Sequence, residues 1–270
     1  MTDSMSPWEF DRRPPKVIAI GSQLVFGSVG NNAAAAQFDA AGLRRLTVPT
    51  VLLSNLPHYP SVHAVDISDA WLANALSDLV ARGLLGTVRF ITIGFLASPS
   101  QAVVIADWLR GVKDAYPKIT VILDPTMGDD DVGIYTAPGL AQAHLQLLIP
   151  LATGIVPNRF ELKLLAQAAG WLDEPLDVIA TAQKITKLGP NWAVVTSATG
   201  NLDLDTVVDS VVTTAGASSH GHPMVATAAK GAGDHFAAAL LIALAQGKTV
   251  DEGTEVAAQA VADHLQSSKE

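Results

Sequence analysis

What most constrains the fold of this chain is a repeated alternation. Short apolar runs end abruptly at a turn-forming or polar residue, and stretches with helical spacing follow. Val17–Ile20 stops at Gly21, Val48–Leu53 at Ser54, Phe90–Ile93 at Gly94 and Ile119–Leu123 at Asp124. Gly154–Val156 is followed by Asn158, and Trp192–Thr196 by Ser197. Runs this short and apolar, bounded by turn residues, read as strands buried on both faces. Helical spacing occupies 33–41, 67–79, 100–115, 140–148, 160–169 and 176–188, and further helices are expected at 234–245 and 250–265. Asn31 and Asn32 stand where they can cap the first of these. Thr206–Thr213 alternates and reads as one more strand, whereas 215–228, made of small and polar residues, reads as a loop. The pattern predicts an α/β protein, a three-layer α/β/α sandwich with a central, mostly parallel sheet. Ligands in such sheets bind outside the carboxyl ends of the strands. Gly21-Ser22, Ser54-Asn55, Gly94, Asp124, Asn158 and Thr196-Ser197 are therefore expected along one edge.

Composition narrows the function. Of 270 residues, 49% are apolar, enough for a sizeable core without staples. Residues 1–15 read as a flexible arm and 16–270 as one domain. With no cysteine, disulfides, thiolate zinc sites and thiol nucleophiles are excluded. The first sixteen residues lack the apolar core of a signal peptide. No stretch approaches the ~20 apolar residues of a membrane span. A cytoplasmic protein is expected, with no membrane partner. The net charge of −9 argues against a nucleic-acid surface.

The chemistry concentrates in Ala229-Lys230-Gly231-Ala232-Gly233-Asp234-His235-Phe236 and the apolar run that follows. Glycines permit unusual backbone angles and close approach of an anion. The helix after them points free N–H groups and the positive end of its dipole into the turn. Asp234, in the first turn, can accept a proton from a hydroxyl. An anion cradle and a base within one turn suit phosphoryl transfer to an alcohol. The competing reading makes Asp234 only a helix cap. In so acidic a chain, phosphates would need Mg²⁺ and backbone N–H groups for charge balance, with Lys230 as a candidate helper.

Several segments, in order from about Val17 to Leu265, resemble the pyridoxal kinases of the ribokinase-like superfamily. They are the loop Ser22–Asn31, Ser54-Asn55, Asp124-Pro125-Thr126-Met127-Gly128-Asp129 with Ala137-Pro138 beyond it, Val156-Pro157-Asn158-Arg159-Phe160-Glu161-Leu162, Val194–Ser197 and Gly231–Asp234. The resemblance implies ATP and Mg²⁺ as cofactors, a vitamin B6 vitamer as small-molecule substrate, and a homodimer. It makes Asp234 the catalytic base and gives the backbone of Gly231, Ala232 and Gly233 to the transferring phosphoryl. Asp124, Glu161 and Asp129 would arrange the metal. Asn158, Glu161, Thr196, Ser197 and Lys230 would serve the nucleotide, and Ser22, Val51, Phe95 and Asp234 the substrate.

The substrate side departs from the family. Leu56-Pro57 stands where many pyridoxal kinases have His-Thr, and Phe95 where they have tyrosine. Gly21 replaces a frequent glutamine. A hydroxymethylpyrimidine kinase, or a non-catalytic vitamin or nucleotide binder on the same fold, therefore stays open at this point. A Rossmann dehydrogenase and a P-loop kinase do not, since neither glycine signature occurs.

Overall fold

The computed structural model describes residues 9–171, 175–199, 205–225, 227 and 229–267. Its elements are β1 (Val17–Leu24), α1 (Gly30–Ala40), β2 (Arg45–Leu53), β3 (Ala64–Asp66), α2 (Asp69–Ala81), β4 (Phe90–Ile93), α3 (Pro99–Ala115) and β5 (Thr120–Leu123). Then come β6 (Gly128–Asp129), β7 (Gly133–Ile134), α4 (Leu140–Ala143), β8 (Gly154–Ile155), α5 (Arg159–Ala168) and α6 (Val178–Thr186). The chain continues through β9 (Trp192–Val195), β10 (Thr206–Thr213), β11 (Gly216–Pro223), α7 (Ala232–Ala245) and α8 (Val250–Ser267).

Nine strands form one sheet in the order β11-β10-β9-β8-β5-β4-β1-β2-β3. The six from β9 to β2 run parallel. Antiparallel strands finish both edges, the hairpin β10–β11 on one side and β3 on the other. Strand residues alternate between two cores, as the pleat requires. Val17 and Ala19 join Phe38 of α1, Phe236, Leu240 and Leu241 of α7, and Ala257, Ala258 and Val261 of α8. Ile18 and Ile20 join Leu72 and Leu76 of α2, Ile105 and Leu109 of α3, Leu162 and Leu165 of α5, and Ile185 of α6. The expected three layers are present.

Three local expectations are corrected. The segment 215–228 is not all loop: Gly216–Pro223 pairs with β10 along its whole length. Asn31 and Asn32 do not cap α1. The cap position is Val29, without a side-chain bond, and both asparagines lie inside the helix. Asn31 Nδ2 donates to the Gly21 carbonyl at 2.9 Å, while Asn32 bonds Leu24 through both N–H and C=O, at 3.1 and 2.9 Å. They fasten α1 to the end of β1. The helix expected at 140–148 turns α-helical only over Leu140–Ala143, then widens into a π turn at His144–Leu148.

Of the segment expected to be a flexible arm, residues 1–8 lie outside the described residues. Residues 9–15 are fastened: Arg44 donates to the Arg13 carbonyl and pairs with Glu9 and Asp11, and Thr87 donates to the Pro15 carbonyl. No described helix is long and apolar enough to cross a membrane.

Candidate active site

At the carboxyl ends of the parallel strands lies a cleft of about 650 Å³. Its floor is the start of α7. Gly231 holds the cap position at φ +101°, where a Cβ would stand 2.5 Å from the Ser28 carbonyl oxygen. Only glycine fits there. No side chain caps α7, so the first-turn N–H groups are left for another acceptor. Ala232 and Gly233 line the cleft, and a Cβ on Gly233 would meet nothing within 4 Å. Asp234 is the third residue of the helix. Its carboxylate accepts the N–H of Gly30, the first residue of α1, so it does not serve as the cap of its own helix. Gly30 is itself obligatory: at φ +55°, a Cβ would stand 2.1 Å from Ser22 Oγ.

Acids surround this floor: Asp124 and Glu161 are buried, Asp234 is partly buried and Asp129 is exposed. Asp124, at the end of β5, is 9% exposed and accepts from Thr126 Oγ1 at 3.0 Å. Burial, and then the neighbouring Asp234 charge, push its pKa up to about 7. Burial pushes that of Asp234 up to about 6. Asp129, though exposed, is raised as well, by partial desolvation from the protein around it and then by the Asp131 charge. Carboxylates held this way favour a neutralising partner.

Glu161 is 3% exposed and joins three segments. Its Oε1 accepts the Met127 N–H at 2.8 Å and its Oε2 the Asn158 N–H at 2.9 Å. The Asn158 side chain returns a bond to the Glu161 N–H at 2.8 Å and donates to the Gly128 carbonyl at 2.9 Å. This reciprocal capping box starts α5 and fixes the loop that follows β5. Both residues line the cleft, so their polar groups hold the wall as well as face the space.

Thr196 and Ser197, at the end of β9, line the same cleft beside Asn158, which bridges to Thr196. Lys230 reaches across the mouth to Asp131 at 2.5 Å, joining the loop before α7 to the β6–β7 turn. On the opposite side stand Ser22 and Phe95. A register shift in the β1–β2 pairing between Gly21 and Ser22 re-aims Ser22. Thr50 Oγ1 donates to the Phe95 carbonyl at 2.6 Å and fixes that loop. Leu56, Pro57 and His58 also reach the cleft, so the segment that departs from the family is part of its wall. Val51 is the correction here. It sits opposite Ser22 on β2, 3% exposed, and is not among the cleft-lining residues.

Sequence reasoning passed over Tyr135, Asp209 and His222, all of which line the cleft. Tyr135 is half exposed, and its phenol is raised above the ordinary range by the protein packed around its inner side and then by the nearby carboxylates. Asp209 had one legible signal, an acid inside an otherwise apolar alternating strand. His222 had none, because β11 does not read as a strand.

The parallel sheet, the glycine-headed helix and the acids at the strand ends together make this a ribokinase-like α/β fold, with a cleft at the carboxyl ends of its strands. The chain belongs to the phosphomethylpyrimidine kinase family, whose model matches residues 30–270. It is 40% identical over 250 residues to a pyridoxine/pyridoxal/pyridoxamine kinase from Bordetella avium, covering 90% of this chain and 82% of that one. The corresponding Bordetella bronchiseptica kinase is 40% identical over 259 residues, 95% and 90% of the two chains. Among solved structures, the pyridoxal kinase of Leishmania donovani in complex with ADP and pyridoxamine superposes with a TM-score of 0.85 at 22% identity, covering 94% and 90%. The Entamoeba histolytica pyridoxal kinase gives 0.86 at 21%, with the same coverage.

Proposed function

We propose that this protein is a kinase that transfers the γ-phosphoryl group of ATP to the 5′-hydroxymethyl group of pyridoxal, and of pyridoxine and pyridoxamine, giving the 5′-phosphates. The observation that carries the reading is Asp234, a carboxylate of raised pKa in the first turn of an uncapped helix, inside the cleft. The Bordetella relatives, close to full length against this chain, carry the B6 kinase name.

In this reading Asp234 takes the proton from the hydroxymethyl oxygen as that oxygen attacks the γ-phosphorus. The bond from γ-phosphorus to the β–γ bridging oxygen breaks, and ADP leaves with its electron pair. The N–H groups of Ala232 and Gly233 face the charge that develops on the transferring phosphoryl. A base whose pKa is about 6 is ionised at neutral pH yet still basic enough to take a proton. Ser22 and Phe95 orient the ring, and Asn158, Thr196, Ser197 and Lys230 serve the nucleotide.

Asp124 and Asp129, with Glu161 behind them, would hold Mg²⁺. Hard carboxylate oxygens with raised proton affinity fit such a cation. Among the described residues no group of three or more His, Cys, Asp or Glu side chains could hold a metal unaided. The donor set therefore suits an ion that arrives with triphosphate oxygens. Bound there, Mg²⁺ would neutralise phosphate charge. The same proposal includes one domain over residues 16–270, a cytoplasmic location and a homodimer. Pairing would cover exposed apolar side chains such as Val25 and Phe26, which are 89% and 64% exposed.

The test is turnover of a panel of pyridoxal, pyridoxine, pyridoxamine and hydroxymethylpyrimidine with MgATP, followed by product mass. Phosphorylated B6 vitamers are expected. Turnover of hydroxymethylpyrimidine alone would move the substrate assignment, and binding without turnover would remove the enzyme assignment.

A further inference from the structure

The nucleotide side of the cleft contains a chain of contacts across three adjacent strands. Asp209, on β10, is 2% exposed. Its Oδ1 accepts the Ser197 N–H at 3.0 Å, and its Oδ2 lies 3.2 Å from His222 Nε2 on β11. Ser197 is the one non-glycine among the described residues with positive φ, at 50°. A serine is disfavoured in that region and stays there only when its surroundings hold it. The next residue is pinned too: the Ala198 N–H donates to the Val208 carbonyl at 2.7 Å. Ser197, Asp209 and His222 all line the cleft.

A buried carboxylate needs both hydrogen bonds and a compensating donor. Asp209 receives one bond from the Ser197 backbone and one from His222. Without the imidazole, half of its acceptor capacity would face the protein interior unmet. It would then turn toward water or another donor and release the Ser197 N–H. His222 titrates above its ordinary range, chiefly because it is hydrogen-bonded to Asp209, which agrees with a close pair.

We propose that His222 is a positioning residue for the nucleotide: through Asp209 it holds Ser197 in the left-handed conformation that shapes the ATP wall. The inference rests on the reading of Ser197 as a nucleotide contact. His222 touches none of the reacting atoms, so its loss should change ATP binding far more than the chemical step. A mere hairpin staple would behave differently, lowering stability and disturbing both substrates alike.

The experiment compares wild type, H222A and H222Q by ADP calorimetry and by steady-state kinetics with MgATP and pyridoxal varied in turn. Loss of one bond to a buried charge predicts about a tenfold rise in the ADP Kd and the MgATP KM of H222A. The kcat and the pyridoxal KM should stay within about twofold. H222Q keeps a donor of similar reach and should recover most of the affinity. In an S197G background, where the backbone needs no holding, the same H222A change should cost under about threefold. If H222A does not fold, H222N, too short to reach Asp209, takes its place. Equal rises in both KM values, or an unchanged ADP Kd in folded H222A, would overturn the inference while leaving the kinase reading intact. A wild-type protein that binds no ADP would overturn the nucleotide reading and this inference with it.

Discussion

Gly231 and Gly233 sit two residues apart on the same turn, yet a Cβ on the first would press 2.5 Å from the Ser28 carbonyl while one on the second would touch no protein atom within 4 Å. The first glycine is demanded by the chain's own backbone, and the second leaves room for something that is not protein. Gly231→Ala should therefore destabilise the fold by roughly 1–3 kcal/mol through strain at positive φ. Gly233→Ala should leave Tm within about 2 °C of wild type and lower kcat/KM by about 10²-fold or more by filling the phosphoryl cradle. Thermal melts and pyridoxal kinetics on the two variants separate these outcomes. Equal effects on stability would contradict the assignment.

Asp234→Asn removes the proposed base and leaves the shape. The kcat should fall by about 10²–10⁴, the usual span for a positioned base. ADP affinity should hold or improve, because a negative charge beside the phosphates is lost. A variant with near wild-type kcat would exclude Asp234 as the base.

The pH dependence has two parts. Because the Asp234 pKa is about 6, kcat/KM should fall tenfold per unit as pH drops below that value, and level off above it. Stability runs the other way. Asp124 binds its proton more tightly folded, with a pKa of about 7, than unfolded, near 3.9. Its effect favours the fold below the unfolded value and is lost as pH rises toward and through about 7. Wild-type Tm should therefore drop more between pH 6 and pH 8 than the Tm of Asp124→Asn, and scanning calorimetry on both measures it. Identical slopes would show that Asp124 is already ionised in the free protein.

Glu161→Gln tests the capping box. One glutamine atom must be an amide NH₂, which would face a backbone N–H of Met127 or Asn158 in place of an acceptor. We expect a loss of about 1–3 kcal/mol in denaturant unfolding, together with a weakened Mg²⁺ response. A variant as stable as wild type but with a higher Mg²⁺ requirement would give Glu161 a direct part at the metal and little part in the fold.

The legible parts of this chain were those whose local chemistry agrees with their place in the fold. β4 and β10 matched residue for residue because apolar or alternating runs between turn residues leave little choice. The Gly231–Asp234 turn was legible because glycine and an acid at a helix start carry their own geometry. β11 was not, since Gly-Ala-Ser-Ser-His-Gly-His-Pro has little strand propensity and becomes a strand only through its register with β10. Asn31 and Asn32 have the residue type of a cap but bond across to β1, a long-range choice that spacing does not disclose. Val51, assigned to the substrate through the resemblance alone, is buried beside Ser22 in the sheet, and a place in the sheet is not access to the cleft.

The same unpromising composition of β11 has an advantage at its position. It is the outermost strand of the sheet, and its exposed positions are glycine, alanine, serine and proline, with His220 and His222 turned partly inward. An edge strand offers unpaired backbone groups to any other extended chain, and apolar side chains would reward that pairing. Here a docking strand would find hydrogen bonds but almost no hydrocarbon to cover. At the opposite edge β3 is three residues long and covers only Val51–Leu53 of β2, while the rest of β2 carries Arg45 and Pro49, a charge and a residue without an N–H. A sheet with a long, oily interior thus ends on both sides in strands that resist being extended, which protects the protein from edge-to-edge aggregation while it folds.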